Sequence, residues 1–342
     1  MSTARYVAPR NAIEHQLAQM WEDLLDRHPI GVEENFFEVG GDSILAMSLL
    51  ARIAQELGCN LPPAGILQAA TIEKLAVALR QEARPEDWTP LVPIRAEGSK
   101  PPFFCVHPGG GNVLCYLQLA KQIGADRPFF GLQCPGVDGI LPPLAEAEQM
   151  ARLYVEAIRQ VQPRGPYAVG GWSVGGVFAY EVAQQLRAAG QQVRLLAILD
   201  SGILHACALL TAIFPKGDMG ILDVMRMASP EQIGEFRRRS APARLIPDYA
   251  DDELALRLFR LFASNMRAVL EYQARPYAGV LELFQAADSL VKPRFEPRRE
   301  WARLCDQVVV QIVPGSHLTM IHEPHVQVLG KLLRERLDAT DG

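Results

Sequence analysis

Gly171-Trp172-Ser173-Val174-Gly175-Gly176 joins a run of buried-strand character, Tyr167 to Gly171, to a run of helical character over 174 to 189. A serine in a G-x-S-x-G turn occupies a strained bend, and glycine two residues to either side lets strand and helix approach closely enough to expose the hydroxyl. The chemistry this suits is nucleophilic. A serine hydroxyl at neutral pH needs a base, itself oriented by a carboxylate. Among seven histidines, His317 lies in Val313-Pro314-Gly315-Ser316-His317, directly after the last predicted strand, where an α/β sheet presents its catalytic edge. His107 ends an earlier strand, His205 falls inside a long insertion, and His322 and His325 lie around the start of the last helix. The chain order nucleophile, acid, histidine selects the late group, with His317 as base. For the acid, two strand ends compete. Asp200 closes the apolar run Leu195 to Leu199, where an unpaired buried carboxylate would be costly, and Asp288 follows the next strand. Residue types alone favour Asp200 without excluding Asp288.

His107-Pro108-Gly109-Gly110-Gly111-Asn112 follows the first buried strand of the same region. Glycines there allow backbone N–H groups to turn inward, as an oxyanion hole requires, and a second donor comes from the residue after the nucleophile. Gly109 and Val174 are the expected donors. A phosphate-cradling loop does not fit, because neither G-x-x-x-x-G-K-[ST] nor G-x-G-x-x-G is present. His317, His322 and His325 do not read as a metal site, since Pro324 interrupts helical spacing and no cysteine or carboxylate completes a ligand set.

Alternating strands and helices must hold these residues. Phe103 to Val106, Phe129 to Gln133, Tyr167 to Gly171, Arg194 to Leu199, Val280 to Phe284 and Val308 to Val313 read as short buried strands. Helical patterns intervene at about 113 to 123, 144 to 162, 174 to 189 and 323 to 337, which together predict a mostly parallel sheet covered by helices. The stretch 203 to 272 is a long, mainly helical insertion between two strands, and insertions of that length are usually functional. Upstream, apolar residues recur at helical spacing from Ala12 to Arg27, from Ser43 to Leu57 and from Thr71 to about Glu82. Residues 10 to 82 therefore form a small all-helical unit. Pro85, Pro90, Pro93, Pro101 and Pro102 mark an extended connector between the two.

The 342 residues suit two domains. At 49% hydrophobic, 21% charged and a net charge of −5, the chain has no overall attraction for nucleic acid or anionic membrane. The charge is uneven. Residues 1 to 82 hold 6 Lys+Arg and 11 Asp+Glu, a net of −5, leaving 28 of each sign in the remainder. Six scattered cysteines without a C-x-x-C pair suit a reducing cytoplasm, the expected location. Met1 to Arg10 lacks a signal-type apolar run. The greasiest stretch, Ile203 to Phe214, is shorter than the roughly 20 residues needed to span a membrane.

Taken together, His107-Pro108-Gly109-Gly110-Gly111, Gly171-Trp172-Ser173-Val174-Gly175-Gly176, Leu199-Asp200 and Gly315-Ser316-His317-Leu318-Thr319-Met320 resemble the chain-releasing thioesterase domains of non-ribosomal peptide and polyketide synthetases. The resemblance implies an α/β-hydrolase over residues 101 to 338, with a helical lid inserted after the sixth strand, here at about 203 to 272. It also implies that the acid follows the strand before the lid, which selects Asp200. Asn35-Phe36-Phe37-Glu38-Val39-Gly40-Gly41-Asp42-Ser43-Ile44 is similar to the attachment site of a peptidyl carrier protein, implying a carrier over residues 8 to 82 with 4′-phosphopantetheine on Ser43, followed by a linker over 83 to 100. Asp42 stands where many elongation carriers have histidine. A terminal carrier–thioesterase unit is thus expected to move an acyl or peptidyl chain from the phosphopantetheine thioester to Ser173 and release it by hydrolysis or macrocyclisation. Its expected partners are a phosphopantetheinyl transferase and upstream adenylation, condensation or ketosynthase domains. Two alternatives are a proofreading thioesterase that clears misacylated carriers and a non-catalytic carrier docking module. Fusion to a carrier argues against the first, and the intact Ser173, Asp200 and His317 set argues against the second.

Overall fold

In a computed structural model, the described residues are 6–59, 61–80, 88–137, 141–206, 208, 234, 252–288 and 296–341. Two compact units divide the chain, Met1–Trp88 with Pro247–Asp251, and Thr89–Ile246 with Asp252–Gly342.

The first unit is helical. α1 (Ala12–Leu25) starts where the Asn11 side chain accepts the Glu14 N–H at 3.1 Å, and its buried face carries Leu17, Ala18, Met20 and Trp21. α2 (Ser43–Leu57) begins after Asp42 and ends at Gly58 in the left-handed region. α4 (Ile72–Ala78) is capped by Thr71, while residues 81–87, where this helix and the connector were expected to meet, lie outside the described residues. α3 (Pro63–Gln68) is a helix that the sequence reading did not include. Pro63 is well suited to its first helical position because the missing N–H would have had no intrahelical partner. Trp21 and Phe36, both fully buried, meet edge to face with centroids 4.9 Å apart, a contact worth about 1 kcal/mol beyond its buried area.

In the second unit, seven strands form one sheet in the order β1-β3-β2-β4-β5-β6-β7. They are β1 (Leu91–Arg95), β2 (Phe103–Val106), β3 (Phe129–Leu132), β4 (Tyr167–Trp172), β5 (Val193–Leu199), β6 (Tyr277–Asp288) and β7 (Cys305–Ser316). All neighbouring pairs are parallel except β1 with β3. β2 and β3 are buried along their whole length, as parallel strands covered on both faces must be. Two helix pairs pack on the sheet, α6 (Ala147–Val161) with α7 (Val174–Ala188) and α5 (Leu117–Gln122) with α10 (His325–Ala339). α8 (Asp252–Glu271) leads into β6, and the short α9 (Pro297–Trp301) into β7.

Three details differ from the sequence reading. Leu91–Arg95, inside the expected connector, is the antiparallel edge strand β1, and Pro93 is tolerated there because an edge strand leaves one side of its backbone unpaired. β6 and β7 each run for 12 residues, longer than their apolar runs, since an exposed sheet margin keeps its ladder while its side chains turn polar. Finally, the insertion follows β5 and not a sixth strand, because a single antiparallel strand precedes the parallel set. Of the lid expected over 203–272, only 203–206, 208, 234 and 252–272 are described. No helix among the described residues is long and apolar enough to cross a membrane.

A buried ionic knot ties α10 to the sheet. The Arg127 side chain has no exposed surface, yet its guanidinium pairs with Asp338 and Asp341 and donates to the Pro101 carbonyl at 2.8 Å. Arg194 joins Asp341. Asp338 and Asp341 keep part of their surface in water, at 39% and 18% exposure, so Arg127→Met is expected to cost the charge-assisted hydrogen bonds, about 1.5 kcal/mol of stability. Urea unfolding of the full chain checks this; a midpoint equal to wild type would show that the knot contributes nothing net.

Candidate active site

Ser173 stands between the end of β4 and the start of α7 with φ 59° and ψ −137°, a region that L-residues rarely adopt. Such a backbone costs about 1–3 kcal/mol and persists only where its surroundings enforce it. The flanking glycines show the enforcement. A Cβ on Gly171 would lie 2.2 Å from the Gly175 carbonyl oxygen, and one on Gly175 would lie 2.4 Å from the carbonyl oxygens of both Val106 and His107. Any side chain at either position would force α7 off the sheet. The Ser173 N–H donates to the Leu199 carbonyl at 3.1 Å, pinning the turn to β5.

His317 follows β7 in a turn held by the Ser316 N–H donating to Thr319 Oγ1 at 2.9 Å and the Met320 N–H donating to the Ser316 carbonyl at 2.9 Å. Its ring stacks on Trp172 with centroids 5.3 Å apart, and the Trp172 indole N–H donates to the His317 carbonyl at 3.2 Å. Nε2 of His317 lies 3.1 Å from Ser173 Oγ, and Nδ1 lies 2.9 Å from Asp200 Oδ2. Asp200 leaves β5 with φ 45°, its N–H donating to the Phe284 carbonyl at 2.8 Å. Its Oδ1 accepts the Ala286 N–H at 3.1 Å, which sets the plane of the carboxylate. Burial acts to raise the Asp200 pKa, but the hydrogen bonds and charges of His205 and His317 outweigh it and hold the carboxyl below the usual carboxylate range. Asp288, the other sequence candidate, is exposed at the end of β6, in register with Ser316. The structure brings Ser173, His317 and Asp200 together and leaves Asp288 apart.

A second imidazole shares this carboxylate. His205, 2% exposed, places Nε2 3.6 Å from Asp200 Oδ2. The ligand-type atoms of Asp200, His205 and His317 all lie within 4.8 Å of one another, a grouping different from the late histidine trio. The segment carrying Asp200 and His205 is gripped by α9. The Glu300 carboxylate accepts the Ile203 N–H at 2.9 Å and the Leu204 N–H at 3.1 Å, and the Trp301 indole N–H donates to the Ser201 carbonyl at 2.6 Å. His325 lies elsewhere, its ring 2.6 Å from where a Gly315 Cβ would be.

The residues of the expected oxyanion donors are neighbours. A Cβ on Gly109 would come within 3.9 Å of Val174 Cγ2. Val174 is the first residue of α7, where an amide has no intrahelical acceptor.

In the helical unit, Ser43 is half-buried as the first residue of α2, between exposed Asp42 and Ile44. Asp42 Oδ1 accepts the N–H groups of Ile44 and Leu45, each at 2.8 Å. Asp42 thus satisfies two amides at the start of α2, leaving the dipole of the helix end to favour negative charge there. Gly41 is required for packing as well as access, since a Cβ would lie 2.3 Å from the Phe36 ring.

Comparison with known proteins decides the family. The thioesterase domain model matches residues 101–335. The chain belongs to the thioesterase family. The model for the phosphopantetheine attachment site matches residues 15–79 of this thioesterase chain. A dimodular nonribosomal peptide synthase of Bacillus subtilis (strain 168) is 29% identical over 347 residues, covering 96% of this chain and 14% of that protein. Indigoidine synthase of Dickeya dadantii (strain 3937) is 42% identical over 196 residues, covering 57% of this chain and 13% of that protein. The chain thus spans a small part of these curated relatives. Among solved structures, a four-domain holo nonribosomal peptide synthetase bound to AMP and glycine aligns with TM-score 0.63 and 27% identity, over 98% of this chain and 27% of that one. The NocB thioesterase domain, in covalent complex with a fluorophosphonate nocardicin G analogue, aligns with TM-score 0.56 and 27% identity, over 72% of this chain and 99% of that one.

His205 falls in the long insertion with no local pattern to place it, and no sequence signal points to Glu300; Asn265, whose Nδ2 donates to the Gly109 carbonyl at 3.0 Å, is different. Asn265 carried a signal: it lies on the same helical face as Leu261, Phe262, Met266 and Val269, and an amide on an apolar stripe needs a buried partner.

Proposed function

We propose that the chain is the terminal carrier–thioesterase unit of an assembly line, with a carrier over residues 8 to 82 and a Ser173–His317–Asp200 hydrolase over 101 to 338. The observation that carries this reading is the unbroken line of hydrogen-bond distances from Ser173 Oγ through both nitrogens of His317 to Asp200. Ser43 fits its role: it is accessible at the start of a 15-residue helix, and its neighbour Asp42 already satisfies the cap. Phosphopantetheine bound at Ser43 supplies the thiol on which an acyl or peptidyl chain is held as a thioester. A phosphopantetheinyl transferase and upstream synthetase domains are the partners such a carrier requires, and the acidic balance of residues 1 to 82 suits basic faces on them.

Ser173 Oγ attacks the thioester carbonyl carbon while His317 Nε2 takes the hydroxyl proton. Charge develops on the carbonyl oxygen and is met by the Gly109 and Val174 amides. The buried Asp200 carboxylate keeps the Nδ1 proton of His317 in place and stabilises the imidazolium. As the C–S bond breaks, His317 returns its proton to the departing thiolate, leaving an ester on Ser173. His317 then serves as base again, for water or for an amine or hydroxyl of the chain itself, and returns that proton to Ser173 Oγ as the ester C–O bond breaks, giving a linear acid or a ring.

The carboxylate tests the relay. Asp200→Asn preserves volume but presents an amide in place of the acceptor that fixes the imidazole tautomer, so kcat is expected to fall by about 10⁴-fold. Steady-state hydrolysis of an acyl-pantetheine thioester by the full chain measures this. A variant within tenfold of wild type would overturn the assignment of Asp200.

A further inference from the structure

The proposed oxyanion donor Gly109 is held from both sides by side chains outside the catalytic line. Two peptide planes flank it. In the first, Pro108 to Gly109, the bond is trans, so carbonyl and N–H point in opposite directions and fixing one aims the other. The Pro108 carbonyl accepts from two donors, His107 Nδ1 at 2.7 Å and the Gly111 N–H at 2.9 Å. Nε2 of the fully buried His107 faces the Tyr154 hydroxyl of α6 at 2.7 Å. One arrangement of protons satisfies both contacts: Nδ1–H donates to the carbonyl and Nε2 accepts from Tyr154. Burial pushes the His107 pKa down to about 4, so the ring stays neutral and keeps that tautomer.

In the second plane, the Gly109 carbonyl accepts from Asn265 Nδ2 at 3.0 Å, and Asn265 Oδ1 lies 3.2 Å from the Cys134 thiol, which donates. Asn265 is fully buried and comes from α8. The same helix presses on the loop, because a Cβ on Gly109 would lie 2.9 Å from the Phe262 ring and one on Gly111 would lie 2.6 Å from Leu261 Cδ2.

We propose that His107 and Asn265 are positioning residues that together aim the Gly109 N–H at the developing oxyanion, so that α8, the described end of the insertion, is part of the catalytic frame. The inference rests on the serine reading above and extends it to residues that never touch the reacting atoms. A donor aimed away from the oxyanion loses its effect on the transition state but leaves ground-state binding alone.

The test uses the full chain, hexanoyl-pantetheine as substrate and phenylboronic acid, which forms a tetrahedral adduct on an active serine, as a probe of the oxyanion site. Asn265→Leu and His107→Phe are each expected to lower kcat by about 10- to 100-fold with KM within threefold, and to weaken boronate affinity by a similar factor. Tyr154→Phe deletes only one hydroxyl and serves where a larger change prevents folding; it should lower kcat and boronate affinity together, by about 3- to 10-fold. Unchanged kcat in these folded variants, or a lowered kcat with unchanged boronate affinity, overturns the proposal. Ser173→Ala separates the two readings: turnover surviving in it defeats the serine assignment itself, whereas a dead Ser173→Ala beside fully active Asn265→Leu and His107→Phe defeats only the positioning claim.

Discussion

Ser173→Ala is expected to reduce thioester turnover by at least about 10⁴-fold and to abolish any acyl adduct on the hydrolase unit. The size follows from what the hydroxyl supplies. Without Oγ, His317 has no proton to accept, and its alignment by Asp200 no longer serves a nucleophile. What survives is acceleration by the oxyanion amides and by binding, which in enzymes of this kind still exceeds the uncatalysed rate. Alanine keeps the Cβ, so the backbone at φ 59° is as strained as before and the close approach of Gly171 and Gly175 is undisturbed. Thermal unfolding should therefore match wild type. Rapid-quench intact-protein mass spectrometry with an acyl-pantetheine thioester is the measurement. Turnover that continues at the wild-type rate would show that Ser173 is not the nucleophile.

Ser43→Ala is expected to eliminate the mass gain of one phosphopantetheinyl group when the full chain is incubated with coenzyme A and a transferase. The effect is all or none, since no other hydroxyl can replace a deleted attachment point. Alanine is well tolerated at the first position of α2, and Asp42 still caps the Ile44 and Leu45 amides, so the helical unit should stay folded. The same variant should hydrolyse a small free thioester at the wild-type rate, because Ser173, His317 and Asp200 all belong to the other unit. A mass gain that persists in Ser43→Ala would move the attachment site elsewhere; loss of free-thioester hydrolysis would mean that the two chemistries are not separable.

Much of this site was legible in the residues. The Gly171 and Gly175 flanks of Ser173 report a backbone contact that only glycine permits, and such a contact leaves a mark in sequence. His317 is singled out by its place after the last strand, and Ser43 by the Phe-Phe and Gly-Gly context that resembles a carrier. Between Asp200 and Asp288, residue type decided little. Both are carboxylates after strands; the resemblance to thioesterase domains favours Asp200, and the sheet puts that one beside an imidazole and the other in solvent. β1 was hidden for a different reason: Pro93 reads as a connector, and only its pairing with β3 makes it a strand.

Local chemistry determines the glycine-flanked turn at Ser173, the capped start of α2, the alternation that builds a parallel sheet and the uneven charge of the two units, because each depends on neighbours within a few residues. The tertiary structure alone decided that His205 shares the Asp200 carboxylate, that Glu300 and Trp301 grip the segment behind it, and that His107 and Asn265 meet on either side of Gly109. Asn265 and Gly109 are 156 positions apart, and His317 and Ser173 are 144 apart. Hydrogen bonds across such distances are set by how elements pack, and packing is a property of the whole unit that no local pattern encodes.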